Sequence, residues 1–160
     1  MNIIKKAQCG NLSNPNKKTL TYNVGYNSEQ FLLRITDNHG GGFHSTEWVS
    51  LSSVSEQVTT DKPFSAKILS PLYESKSANN PGFLAAILVA EMLWLPVEDN
   101  KRLFTMNDFE DFETAMNKLI EKKVSLKDEV AEREAKKEAS RLALEAKFKA
   151  QRKKASKVKS

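Results

Sequence analysis

The chain has 160 residues, 39% of them hydrophobic, with 25 Lys/Arg against 20 Asp/Glu and a formal net charge of +5. That length suits one core plus an appendage, since a single core commonly forms from about 100–150 residues, and the hydrophobic share is below the roughly 45–50% usual for globular chains. The lone Cys9 excludes an intramolecular disulfide, and its isolation fits a reducing compartment, so a cytoplasmic protein is expected.

Residues 1–9 lack the apolar core and small-residue cleavage site of a secretory signal. Residues 10–18 (GNLSNPNKK) are rich in turn formers and carry no period, so they predict a loop. Apolar residues then alternate with polar ones at Leu20, Tyr22, Val24 and Tyr26, again at Phe31, Leu33 and Ile35, and again at Phe43, Val49 and Leu51. Period two places each set on one face of a strand, so the spacing predicts three antiparallel strands over about 19–26, 30–37 and 43–50. The run Asp37-Asn38-His39-Gly40-Gly41-Gly42 is suited to the loop between the second and third.

Ser53 followed by Glu56 is a capping-box pattern that predicts a short helix over 53–59. Pro63, Pro71 and Pro81 bar a long helix across 60–81. Asn80 as cap and Pro81 in the first turn open a helix expected to run to about Leu95 before Pro96. At about 1.5 Å per residue, the fourteen residues Gly82 to Leu95 reach about 21 Å, short of a hydrocarbon core of about 30 Å, so no membrane association is expected.

Asn107 and Glu110 offer a second capping box, and Phe109, Phe112, Met116, Leu119 and Ile120 recur at helical spacing as a core-facing stripe. Beyond Leu126 the apolar stripe thins, but Ala, Glu, Lys and Arg sustain a solvated helix of coiled-coil-like composition. The pairs Glu129/Arg133, Glu132/Lys136 and Glu145/Lys149 support it, with fraying expected beyond Lys154. The predicted fold is α+β: a three-stranded antiparallel meander packed by two helices over 1–123, then a charged helical extension over 124–160.

Charge is distributed unevenly along this plan. From residue 121 onward there are fourteen Lys/Arg against seven Asp/Glu, whereas residues 1–120 hold eleven against thirteen. The end of the chain concentrates the excess in Lys147, Lys149, Arg152, Lys153, Lys154, Lys157 and Lys159, with no acid among them. Such an arm attracts polyanions, because neutralising phosphates releases condensed counterions whatever the base sequence. Its lysine-dominated composition points to diffuse attraction over base reading, for which bidentate arginine is better suited.

Several other residues are candidates for binding or chemistry. Tyr22 and Trp48 are candidates for stacking bases on the meander. Phe83, Ile87 and Trp94, in the most apolar helix, are candidates for contact with a protein partner or for self-association into a homo-oligomer. Glu91 in the same helix is expected on its exposed edge, the alternative being a buried pair with Arg34 or Arg102. His39-Gly40-Gly41-Gly42 lacks the nucleophile elbow that would make it an oxyanion loop, and a set of Asp37, His39 and Ser45 has proximity in sequence alone. His39, His44, Cys9 and Glu47 lack the spacing of a metal site, so no metal and no cofactor are expected.

The composition therefore predicts a non-catalytic accessory protein whose arm contacts nucleic acid non-specifically while the folded body contacts another protein. The alternative is an interaction or inhibitory module, of the type that small phage and mobile-element proteins supply, acting through the body without nucleic acid.

Overall fold

The computed structural model describes residues 1–158, so Lys159 lies outside the described residues. The chain divides into two units, Met1–Lys127 and Asp128–Ser160. The first opens with a long hairpin of β1 (Asn2–Asn11) and β2 (Asn14–Tyr26), turned at Leu12 and Ser13. β3 (Phe31–Asn38) pairs with β2 so that Tyr22 faces Ile35 and Val24 faces Leu33, and β4 (Val49–Ser50) completes a sheet in the order β1-β2-β3-β4.

The expected meander is thus present as β2, β3 and β4, with β1 added along the outer edge of β2. Two local features hide β1 in the sequence. A bulge between Ile3 and Lys5 shifts the register, so Ile3 and Ile4 are both buried and strict alternation is lost. Residues 10–18, expected as a loop, include the end of β1, the turn and the exposed start of β2, where there is little burial to impose a period.

After β4 the chain enters α1 (Leu51–Gln57), capped by Ser50, whose Oγ accepts the Ser53 N–H at 3.1 Å. The cap is three residues earlier than the Ser53 box suggested. β5 (Phe64–Ser65) and a 3-10 helix (Ala66–Leu72) lead to α2 (Asn80–Ala90). α2 stops well before Leu95. Met92 adopts a left-handed φ of 59°, its N–H bonding the Val89 carbonyl at 3.0 Å while the Leu93 N–H bonds that of Leu88 at 2.8 Å. This paired closure ends the helix and redirects the chain.

The residues freed form β6 (Trp94–Val97), which with β7 (Asn100–Met106) and β5 makes a second antiparallel sheet in the order β5-β7-β6. Pro96 is tolerated because β6 is an edge strand. Then come α3 (Glu110–Glu121), which packs against β1 with Phe112 and Met116 buried, and α4 (Glu129–Val158).

α2 is apolar around most of its circumference because it is covered on several sides. It touches β1, β2 and β3 of the first sheet, β6 of the second and the 3-10 helix, burying Leu84, Ala85, Ile87 and Leu88. The second sheet adds an aromatic layer, with Trp94 at 4.8 Å from Phe64 and 5.4 Å from Phe104 between ring centroids. The apolar surplus of residues 83–95 is consumed here. Ile87 and Trp94 are 0% exposed and present nothing to a partner, while Phe83 is half-buried against the core.

Glu91, expected at an exposed edge, is instead a buried junction. Its carboxylate, 8% exposed, accepts from Lys5 Nζ of β1 at 2.7 Å and from the Tyr22 hydroxyl of β2 at 2.5 Å. The partners are Lys5 and Tyr22, not Arg34 or Arg102, because the bulge in β1 brings Lys5 to the inner face near the end of α2. Burial, then the bond to Glu91, raises the Tyr22 phenol far above its ordinary range and keeps it a donor. Glu91→Ala leaves the buried Tyr22 hydroxyl and the half-buried Lys5 ammonium without their acceptor and is expected to destabilise the fold by about 2–3 kcal/mol in a urea titration. Tyr22→Phe, which leaves the Lys5 pair, should cost about 1 kcal/mol in the same urea titration. Equal stability of Glu91→Ala and the parent protein would show that the junction contributes nothing.

Candidate nucleic-acid interface and partner surface

α4 is capped by Asp128, whose Oδ1 accepts the Ala131 N–H at 2.9 Å and whose carbonyl accepts the Glu132 N–H at 3.1 Å. Glu129 and Glu132 in the first turn complement the positive end of its dipole. Farther along, Arg141 donates to both Glu138 and Glu145 at 2.5 Å, and Lys137 lies 3.9 Å from Glu134. The hydrogen bond from Arg141 holds the Glu138 carboxyl below its ordinary range. These pairs balance the middle of the helix internally, and after Glu145 no acid remains to balance its end.

The helix continues to Val158, past Lys154, and every residue from 147 to 158 is exposed. At about 100° per residue, Lys147, Lys149, Lys153, Lys154 and Lys157 fall within an arc of about 160°. The opposite side carries Leu144, Phe148 and Ala155, with Arg152 toward its edge. Six of the seven predicted cationic residues therefore sit on one exposed helical segment, five of them on one side. The seventh, Lys159, is outside the described residues.

The two stacking candidates are placed otherwise. Tyr22 is 3% exposed and tied to Glu91, which removes it from any surface role. Trp48 is half-buried outside β4, with the Arg34 guanidinium 4.3 Å from its ring centroid. Arg34 is itself held by Asn23, accepting at 2.9 Å on the neighbouring strand. A Cβ on Gly25 would lie 2.8 Å from the Trp48 ring, so the glycine is what lets the indole lie against β2. One face of Trp48 is already used, and the pair covers the polar side of the sheet.

The chain between β3 and β4, expected to be strand from residue 43, is an ordered loop. Gly41 and Gly42 take φ of 80° and 95°, the left-handed region that glycine enters without a Cβ penalty. The Asn38 side-chain amide donates to the Gly41 carbonyl, and Ser77 Oγ and Asn79 Nδ2 donate to the Phe43 carbonyl at 3.0 and 3.2 Å. Farther on, buried Asn80 accepts the Ser45 N–H at 2.8 Å, a role quite unlike the helix cap expected of it. On this fixed backbone the Phe43 side chain is 87% exposed. It is the exposed aromatic residue that sequence reasoning missed, read there as one member of a strand face. The available signal was its position directly after three glycines with polar Ser45 two residues on.

The hydroxyl of Ser45 donates to Glu47, so the imagined set with His39 is not assembled. His39 Nε2 lies instead 3.6 Å from Asp37 and 3.4 Å from Thr21 Oγ1. Among the described residues no group of three or more His, Cys, Asp or Glu is placed to hold a metal ion. Nor is any described helix long and apolar enough to cross a membrane. Comparison with protein-family models, with curated proteins and with solved structures gives no match.

Glu47 ties the loop to the segment before α2, accepting the backbone N–H groups of Glu74 at 2.8 Å and Ser75 at 3.3 Å. Burial works to raise its carboxyl, but the Ser45 hydroxyl and these two amides outweigh it and the group sits below its ordinary value. A folded-state value below the unfolded one contributes stability that is full above the unfolded value and is lost as pH falls through the folded one. Glu47→Gln should therefore be less stable than the parent protein at pH 7, and the gap should close toward pH 3 in urea unfolding. A gap that stays constant with pH would remove the charge of Glu47 from the account.

Proposed function

We propose that the protein is a non-catalytic accessory factor that holds nucleic acid through the end of α4 while its folded body meets another protein. The observation that carries the first half is the lysine arc of residues 147–157, exposed and without an acid in its segment. Lysine on a long flexible stem suits phosphate contact without base specificity, and a rigid helix lines the charges up along one side.

Binding of this kind weakens linearly in log–log form with salt, by about 0.9 per phosphate neutralised on duplex DNA. Replacing Lys153 and Lys154 together by Glu should lower the slope by about two and weaken binding of a labelled 20-base-pair duplex by at least about tenfold in low salt. Fluorescence anisotropy across a salt titration reads both quantities. An unchanged slope and affinity would take the arc out of the mechanism.

Phe43 favours the second half, and by itself supports the rival reading of a module that works through its body alone. Its backbone is already fixed by Asn38, Ser77 and Asn79, so little ordering entropy remains to be lost when the ring is buried by a partner. Leu12, Asn79 and Phe83 line a shallow hollow on this side of the body. Phe43→Ser is expected to leave fold stability and duplex affinity unchanged. It should remove partners that survive nuclease treatment when the protein is purified from its native cells. Retention of every such partner would place the protein contact elsewhere.

A further inference from the structure

A cavity of about 330 Å³ opens between the far end of the β1–β2 hairpin, the last turns of α2 and the second sheet. Its volume falls at the lower end of the range, about 300–1,000 Å³, in which small molecules bind. Leu12 and Pro15 form the hairpin wall, Ala86, Val89 and Ala90 the helix wall, and Pro96 the side toward the second sheet. The only charged side chains in the lining are Lys18 and Lys101, both exposed. The acids of the β6–β7 turn, Glu98 and Asp99, are not part of the lining, and the nearby Glu91 is turned inward onto Lys5 and Tyr22.

We propose that this cavity binds a small amphiphilic anion: an apolar chain or ring seated between hairpin and α2, with one carboxylate-type group facing Lys18 and Lys101. Apolar walls that stay wet in the free protein supply the driving force, since covering them gains about 25 cal/mol per Å². The two lysines select for the anion over its neutral counterpart. Cys9, 7% exposed, belongs to the same lining, and burial, followed by the Glu91 charge, pushes its thiol up to about 11. At neutral pH it is an uncharged part of the wall and repels no anion. The site lies wholly within Met1–Lys127 and is independent of the lysine arc.

The probe is octanoate, with 1-octanol as the neutral chain of equal length, titrated into the full-length ¹⁵N-labelled protein. Octanoate should shift the amide resonances of Leu12, Val89 and Ala90 saturably and bind about tenfold more tightly than octanol, the difference expected of two partly exposed ion pairs. It should also slow alkylation of Cys9. In Lys18→Gln/Lys101→Gln, substitutions at exposed positions, octanoate should fall to the affinity of octanol while octanol itself is unaffected. Ala90→Trp, which fills the mouth, should abolish both. Equal binding of octanoate and octanol by the parent protein would overturn the proposal. So would shifts confined to the lysines of α4, or an absence of saturable shifts at the cavity.

Discussion

A buried carboxylate holds the first unit together at the point where its layers meet. Glu91 is the residue at which α2 ends, Lys5 belongs to β1 and Tyr22 to β2. An isolated charge in this position would be far too costly to bury, so the helix end and the hairpin must arrive together with their donors in place. The left-handed turn at Met92 follows at once, and it sends the chain into the second sheet. One junction therefore fixes the tilt of the hairpin, the length of α2 and the start of β6. It also sets the walls of the hairpin cavity, which open beside the same helix end.

The two units solve the problem of stability in different ways. Met1–Lys127 relies on burial, with α2 enclosed between two sheets. α4 relies on intrinsic propensity, a capped start and pairs along its own surface, with Val130 its one buried residue. A helix that does not depend on packing can give its surface to other ends. Here Arg141 gathers Glu138 and Glu145 to itself, so the acids of α4 are placed where they neutralise its middle, and the lysines beyond act together. The same composition shuffled along the helix would pair internally and leave little field.

What the sequence made legible follows from where a single period operates. The strands at 19–26 and 30–37 were readable because apolar and polar residues alternate along them, even though both faces are buried, and the stripe of Phe112 and Met116 because the rest of α3 is largely solvated. β1 was not, since the bulge at Ile4 resets its alternation and its inward Lys5 reads as polar until its partner is known. α2 and β6 read as one helix because both are apolar almost throughout, and continuous apolar sequence carries no period to separate them. The boundary lies in backbone geometry at Met92, a residue type that seldom signals a left-handed turn. The cationic arc was legible because charge is a local property of composition, whereas Phe43 and the cavity depend on loops and on residues distant in sequence. Tyr22, Ile87 and Trp94 were drawn to surface roles by their chemistry and to the core by their surroundings.

The physical ranges of the two proposed modes of recognition differ, and that difference gives the arrangement its logic. Attraction by the lysine arc extends over a Debye length, about 8 Å at physiological salt, and tolerates many orientations. The Phe43 loop and the hairpin cavity act only in contact and demand one orientation, which the hydrogen bonds of Asn38, Asn79 and Glu91 supply in advance. Long-range capture suits a helix that needs no packing, and shape-dependent contact suits a body locked by buried polar junctions. In the proposed function, capture of polyanion by the lysine arc makes no demand on the geometry by which the folded body would select its partner.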